Sequence, residues 1–419
     1  MFAARLLRRI LSHGHLTLID ADGKSHDFHT ADTPRAVVRL HDRSLHWKLV
    51  LYPSLHVGAA YTDGTLTLEE GSLRDFLEIL LESQARLEAD ESELVRRLKQ
   101  WFYRREIVNK IGTARRNVEH HYDLSGELYR LFLDPDQQYS CAYFRSWDDG
   151  LDLAQLQKKQ HLAAKLRLEE GQAVLDIGSG WGGLALYLAR TYGVHVTGLT
   201  LSREQYAVSC ERARAQGLTG LVEFKLLDYR ELTGEFDRIV SVGMFEHVGE
   251  PHYREFFTHL KRLLREDGIA VLHTIGRSSP PSPVNVWIRR NIFPGAYLPS
   301  LSQLAPILEY LGIWLTDFEN LRLHYAETLR AWDANFQKNR RRIAEIYDER
   351  FCRMWEFYLQ SSEMGFRHSG LTVFQMQLAR QIDTVPSTRE YMFEEEQRLR
   401  GLEGAGEADR DGRRRIPAE

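Results

Sequence analysis

A chain of 419 residues with a formal net charge of −4 has room for two or three domains and carries no general signal for a polyanionic partner. Its apolar fraction of 43% is that of an ordinary globular protein, and three scattered cysteines, Cys141, Cys210 and Cys352, exclude a disulfide framework or zinc ribbon and point to a reducing compartment. No run of about 18 apolar residues occurs, so any membrane contact is expected to be peripheral.

Residues 2–12 alternate apolar residues and arginines at helical spacing. That pattern makes a short basic amphipathic helix, which docks on its own domain or rests on an anionic surface. The arginines break the apolar run that a secretory signal needs. Leu16 to Ile19, Val37 to Leu40 and Leu49 to Tyr52 read as short strands, 57–66 as a small turn-rich connection, and Leu73 to Arg86 as a helix. Residues 1–92 are therefore predicted to form a small α+β domain. Its seven histidines share no metal-ligand spacing, and no metal site is expected.

A basic linker helix is predicted over 93–120. Between 94 and 116, Arg96, Arg97, Lys99, Arg104, Arg105, Lys110, Arg115 and Arg116 surround Trp101, Phe102 and Tyr103, with Glu106 as the lone acid. Basic residues interleaved with aromatics suit an anionic lipid surface, single-stranded nucleic acid, or simply solvent.

From about residue 171 the periodicity becomes βαβ. Strands are predicted at 173–177, 194–200, 221–226, 236–242 and 268–275, with helices at 182–192, 203–216 and 252–265. This alternation implies an α/β fold with a doubly wound, mostly parallel sheet, which binds ligands at the carboxyl ends of its strands. After the first strand comes Asp176-Ile177-Gly178-Ser179-Gly180-Trp181-Gly182-Gly183. Gly178, Gly180 and Gly183 satisfy G-x-G-x-x-G. No acid closes the second strand, however, where a dinucleotide's ribose would need one; it ends in Thr200, Ser202 and Gln205. The proline-rich, aromatic stretch 280–295 is a lid or a covering loop. Helices at 326–345 and 348–362 and a strand near 370–378 complete a catalytic domain over 121–392. A Gly-, Glu- and Arg-rich tail, 393–419, is expected to be disordered.

The D-x-G-x-G turn, with Asp228 after the third strand, resembles class I S-adenosylmethionine-dependent methyltransferases. Further motifs narrow the likeness: His121-Tyr122-Asp123, Gln138-Tyr139-Ser140-Cys141-Ala142-Tyr143-Phe144, Gly198 to Ser202, Val242 to Gly249, His273-Thr274-Ile275-Gly276 and Ile292-Phe293-Pro294-Gly295. Together, from about 115 to 390, they resemble the cyclopropane-fatty-acyl-phospholipid synthases. The small N-terminal domain resembles that of the full-length bacterial synthases. Two departures stand out. Gly178-Ser179-Gly180 replaces the common Gly-Cys-Gly, and Phe374 to Arg380 differs from the enterobacterial type.

The resemblance implies a class I methyltransferase (Rossmann-like) fold and a specific chemistry. A cis double bond in a phospholipid acyl chain attacks the sulfonium methyl of S-adenosylmethionine, and the resulting cation loses a proton as the ring closes. The implied base is a bicarbonate ion, held by the side chains of Glu246, His273 and Tyr325 and by backbone at Cys141 and Ile275. Glu246 shares a proton with the ion or orients His273. Tyr143, Phe144 and Tyr325 are candidate rings for the cation. For the cofactor, the implied residues are Tyr139, Ser140, Asp176, Gly178, Gly180, Thr200, Ser202, Gln205, Asp228 and Tyr229. Cys141 has no basic neighbour in sequence to activate it as a nucleophile. His247 adjoins Glu246, cannot share its face on a strand, and is read as structural. The implied setting is cytoplasmic, a homodimer at the inner face of the membrane with unsaturated phospholipid as partner and no nucleic acid. Alternatives are a methyl-branched or methylene product from the same cation, a small-amine N-methyltransferase, and a catalytically silent lipid-binding protein.

Overall fold

A computed structural model describes residues 7–8, 10–89 and 125–412. The basic segment 94–116, the motif His121-Tyr122-Asp123 and most of 2–12 lie outside the described residues. Leu7 and Leu11, at the end of that first segment, pack into the core of the small domain.

The small domain is a four-stranded sheet of β1 (His15–Ile19), β2 (Ser25–His29), β3 (Arg35–Leu40) and β4 (Leu66–Glu70), in the order β2-β1-β3-β4. Leu16 and Leu18 point inward by strand alternation and meet Phe76, Leu77 and Ile79 of the helix Leu73–Ala89 in one core. Two expectations fail here. Leu49 to Tyr52 belongs largely to the helix Leu45–Leu51, and 57–66 begins in the helix Pro53–Thr62 rather than a loop. The small residues of 57–60 serve close packing. A Cβ on Gly58 would lie 2.7 Å from Phe357 and 2.8 Å from Trp287, both outside the small domain.

The two parts of the chain share one hydrophobic cluster, running from Leu16 and Ala60 to Trp287, Trp355 and Phe357. Ion pairs and a hydrogen bond reinforce the seam. Arg74 donates to Glu363 at 2.8 Å and to Asp333 at 2.6 Å, and Tyr61 donates to Glu356 at 2.9 Å.

The larger sheet has seven strands, β5 (Ala173–Ile177), β6 (His195–Thr200), β7 (Val222–Leu226), β8 (Phe236–Val242), β9 (Leu264–Arg277), β10 (Trp314–Asn320) and β11 (Leu371–Ala379). Their order is β10-β11-β9-β8-β5-β6-β7, and β11 runs antiparallel to both its neighbours. This is the class I methyltransferase topology. Order reverses between β5 and β8, which opens a crevice at their carboxyl ends. Both faces are covered, one by a core around Phe256 and Leu304, the other by a core around Leu186 and Leu162.

The helices Arg322–Ile346 and Glu349–His368 form a hairpin over the site. The stretch 280–295 contains a short helix, Val286–Asn291, capped by Asn285, which buries Trp287 against Phe357. The expected disordered tail is corrected over 393–412: Glu390–Gly412 is a helix that packs on Leu151–Leu166. Met392, Glu396 and Leu399, spaced four and three apart, give it a buried stripe that composition alone conceals.

Candidate active site

The glycine turn after β5 has positive φ at Gly178 (86°), Gly180 (54°) and Gly182 (83°). It is tied to β6 by the Gly178 and Ser179 amides, which donate to the Leu199 carbonyl at 3.0 and 2.8 Å. A Cβ on Gly178 would stand 2.8 Å from Met244 Cβ, and one on Gly183 would stand 2.5 Å from Gln138 Nε2. Those glycines let the surrounding chain close in. A Cβ on Gly180 would meet nothing within 4 Å, so Gly180 borders open space.

The predicted cofactor residues line up at the strand ends. Asp176 is 2% exposed, its Oδ2 lacks a hydrogen-bond partner, and burial raises its carboxyl to about 7, with Lys158 opposing. Thr200 donates to Gln205 Oε1 at 2.9 Å, and Ser202 caps the next helix by accepting from the Gln205 amide. Asp228 grips Arg230 with both carboxylate oxygens, at 2.9 and 2.7 Å. Tyr229 sits edge-on to Phe256.

Beside this row lies a small cavity, partly open to solvent. It brings together Tyr139, Ser140, Cys141, Glu246, His273, Ile275 and Tyr325 from four separate stretches of sequence. Gly243, His247, Phe293, Ala296 and Leu298 complete the lining. Glu246 accepts from the Ile275 amide at 2.6 Å through Oε1, while its buried Oε2 has no partner. Burial raises this carboxyl to about 7. The Ile275 amide is therefore committed to Glu246 and is not free for an anion. Burial drives His273 the other way, to about 3, so its ring is neutral. Tyr325 packs against Phe366 and edge-on against Trp332. The Tyr139 and Tyr358 hydroxyls are 2.8 Å apart.

Burial also pushes the Cys141 thiol far up, and its Sγ donates to the Ala142 carbonyl at 3.2 Å, which leaves no nucleophile there.

Three expectations change. His247 lines the cavity with Glu246, because Phe245–His247 is a turn of 3₁₀ helix, where neighbours need not alternate faces as on a strand. Burial lowers its imidazole to about 4. Tyr143 and Phe144 do not line the cavity. Tyr143 is stacked between His161 (4.1 Å) and His324 (4.8 Å), and Phe144 lies against Trp147 and His324. His161 is held in turn by Glu319 and Glu396, each at 2.6 Å, which raise its affinity for a proton against burial.

The helix Leu151–Leu166 supplies residues that sequence reading missed. Gln155 donates to the Ser140 carbonyl at 3.0 Å, and Lys158 donates to Gln138 Oε1 at 2.7 Å and Ser140 Oγ at 2.8 Å. Lys158 is 1% exposed, and burial lowers it to about 8 despite Asp134. These side chains staple the loop that joins the glycine turn to the cavity. The available signal was a polar stripe, Gln155, Lys158, His161 and Lys165, at helical spacing on a helix otherwise rich in Ala and Leu.

Comparison with known proteins agrees with this arrangement. The profile of the family described as mycolic acid cyclopropane synthetase matches residues 109–376. A probable fatty acid methyltransferase of Pseudomonas putida is 36% identical over 384 residues, covering 89% of this chain and 94% of its own. The cyclopropane-fatty-acyl-phospholipid synthase of Escherichia coli K12 is 42% identical over 263 residues, covering 63% of this chain and 67% of its own. The crystal structure of mycolic acid cyclopropane synthase CmaA1 complexed with SAH and CTAB superposes with a TM-score of 0.61 at 34% identity, over 64% of this chain and 99% of that one. On its class I methyltransferase fold and these likenesses, the chain belongs to the cyclopropane-fatty-acyl-phospholipid and mycolic acid cyclopropane synthase family.

Proposed function

We propose that this protein transfers the methyl of S-adenosylmethionine to a cis double bond of an unsaturated phospholipid acyl chain and closes it to a cyclopropane. What carries this reading is the cavity, one space that joins apolar Ile275, Phe293, Ala296 and Leu298 to the polar set Glu246, His273 and Tyr325. The SAH in CmaA1 and the substrate in the name of the E. coli synthase support it.

The glycine turn fits the cofactor because Gly180 leaves open the room that any side chain would occupy. When bound, S-adenosylmethionine supplies an electrophilic methyl carbon on a cationic sulfur. The chain's own task is to hold that methyl and the alkene in line and dry, and to face the developing cation with rings such as Tyr325. The reaction breaks one C–S bond, makes two C–C bonds and releases one proton from the transferred carbon. Among the lining side chains, His273 and His247 are poor bases for that proton because burial depresses them, and Cys141 stays a thiol, which leaves Glu246, raised to about 7, as the one carboxyl able to exchange it. Glu246 Oε2 is buried without a partner, which suits a small oxyanion such as bicarbonate as the base, with Glu246 sharing a proton with it. His273 and Tyr325 would hold the same ion.

No helix among the described residues is long and apolar enough to cross a bilayer. We place the lipid contact at the membrane surface, with exposed Trp47, Leu51 and Tyr52 of the small domain toward it.

Two experiments test the reading. Lipids from an expressing host are expected to gain one CH₂ per modified chain and to show cyclopropane ring hydrogens by NMR. Vinyl or methyl-branch signals in their place would move the assignment to the second reading, a fatty acid methyltransferase like the relative from P. putida. Turnover is also expected to fall when dissolved bicarbonate is removed and to recover on its return; indifference to bicarbonate rules it out as the base.

Gly180→Val is expected to weaken S-adenosylmethionine binding by roughly tenfold or more by calorimetry, because its side chain enters the open space beside the turn and a β-branched residue strains the positive φ of 54° there. Unchanged affinity would place the cofactor elsewhere.

A further inference from the structure

Gln375 takes no part in the chemistry above. It lies on β11 directly across from His273 on β9, fully buried, with Nε2 3.2 Å from His273 Nδ1. His273 lines the cavity and Gln375 does not. A ring nitrogen that faces an N–H donor must offer its lone pair, so a neutral ring then carries its proton on the other nitrogen. We infer that Gln375 is a positioning residue: its amide selects the Nε2–H tautomer of His273, so that His273 presents a hydrogen-bond donor to the cavity.

The orientation of the amide supports this. Gln375 Oε1 is left without a partner. Turning the amide over would satisfy Nδ1–H but orphan the NH₂ group instead. The cations Lys158, Lys165 and His161 act on His273, opposed by Glu319. In that field an unpaired carbonyl oxygen is the better tolerated orphan. A donor at Nε2 fits an oxyanion ligand and keeps His273 from serving as the base itself. This inference rests on the reading of the cavity as an anion site.

The test uses the full chain labelled with ¹⁵N-histidine, with the His273 signals identified by difference against His273→Asn. The wild type is expected to show a bare Nδ1 and a protonated Nε2. Gln375→Glu, which accepts once ionised, is expected to move the proton to Nδ1 at a pH where that carboxyl is charged. Gln375→Leu is expected to leave a mixture, and serves alone if the charged variant does not fold. In either variant the bicarbonate concentration for half-maximal turnover should rise roughly tenfold, with kcat at saturation within a few-fold and S-adenosylmethionine affinity unchanged. A wild-type ring protonated on Nδ1 overturns the inference, as does a nitrogen pattern that neither variant alters. If the tautomer shifts but turnover never depended on bicarbonate, the role of Gln375 stands and the bicarbonate reading falls.

Discussion

Glu246→Gln is expected to lower turnover by at least about 100-fold while S-adenosylmethionine affinity is kept. Glutamine preserves the acceptor for the Ile275 amide and a polar group in place of the orphaned Oε2, but it neither takes nor gives a proton. The same variant should be more stable than the wild type in alkaline solution. Burial raises the carboxyl from its ordinary 4.5 to about 7 in the folded protein. Between those values the folded state retains a proton that the unfolded chain releases, so wild-type stability falls as pH rises through that window. Glutamine does not titrate. Its advantage should be absent near pH 4.5, grow toward pH 7, and level off above it at up to about 3 kcal/mol. Urea unfolding at several pH values measures this, and assays at saturating cofactor measure turnover. Turnover within a few-fold of wild type would remove the proton-sharing role. Loss of cofactor binding would mean that Glu246 belongs to the other site.

Arg74→Met is expected to cost about 2–3 kcal/mol of stability. Asp333 and Glu363 are almost wholly buried, and Arg74 is the cation they share across the seam between the small domain and the helical hairpin. Removing one partner of a buried pair strands the other charge, which is worse than never having had the pair. The estimate sits at the low end because Arg74 is itself 33% exposed and Arg367 still reaches Glu363. Asp333→Asn with Glu363→Gln in the same chain should restore much of the loss. An unfolding midpoint unmoved by Arg74→Met would show that the shared apolar cluster alone holds the seam.

The five parallel strands were legible because each is a short apolar run between turn residues, and the glycine turn because its φ values demand those glycines. The edge strand Trp314–Asn320 escaped notice: an exposed, polar edge lacks the apolar run that marks a central strand. Leu49 to Tyr52 misled for the opposite reason, since four apolar residues look alike in a strand and a helix. At the cavity, the resemblance pointed to Glu246, His273, Tyr325 and Cys141, and the fold brings them together. His247 and Gln375 depend on a backbone turn and on cross-strand register, which for Gln375 and His273 couples residues 102 positions apart. No local pattern encodes such pairings.

The ring stack His161–Tyr143–His324 ends on Glu396 of the last helix. It ties that helix to the segment that carries Tyr143. Detaching that helix from Leu151–Leu166 would strip His161 of one of its two counter-charges. Tyr143 stands three residues along the chain from Ser140 of the cavity lining, so the last helix is expected to help set the position of that wall.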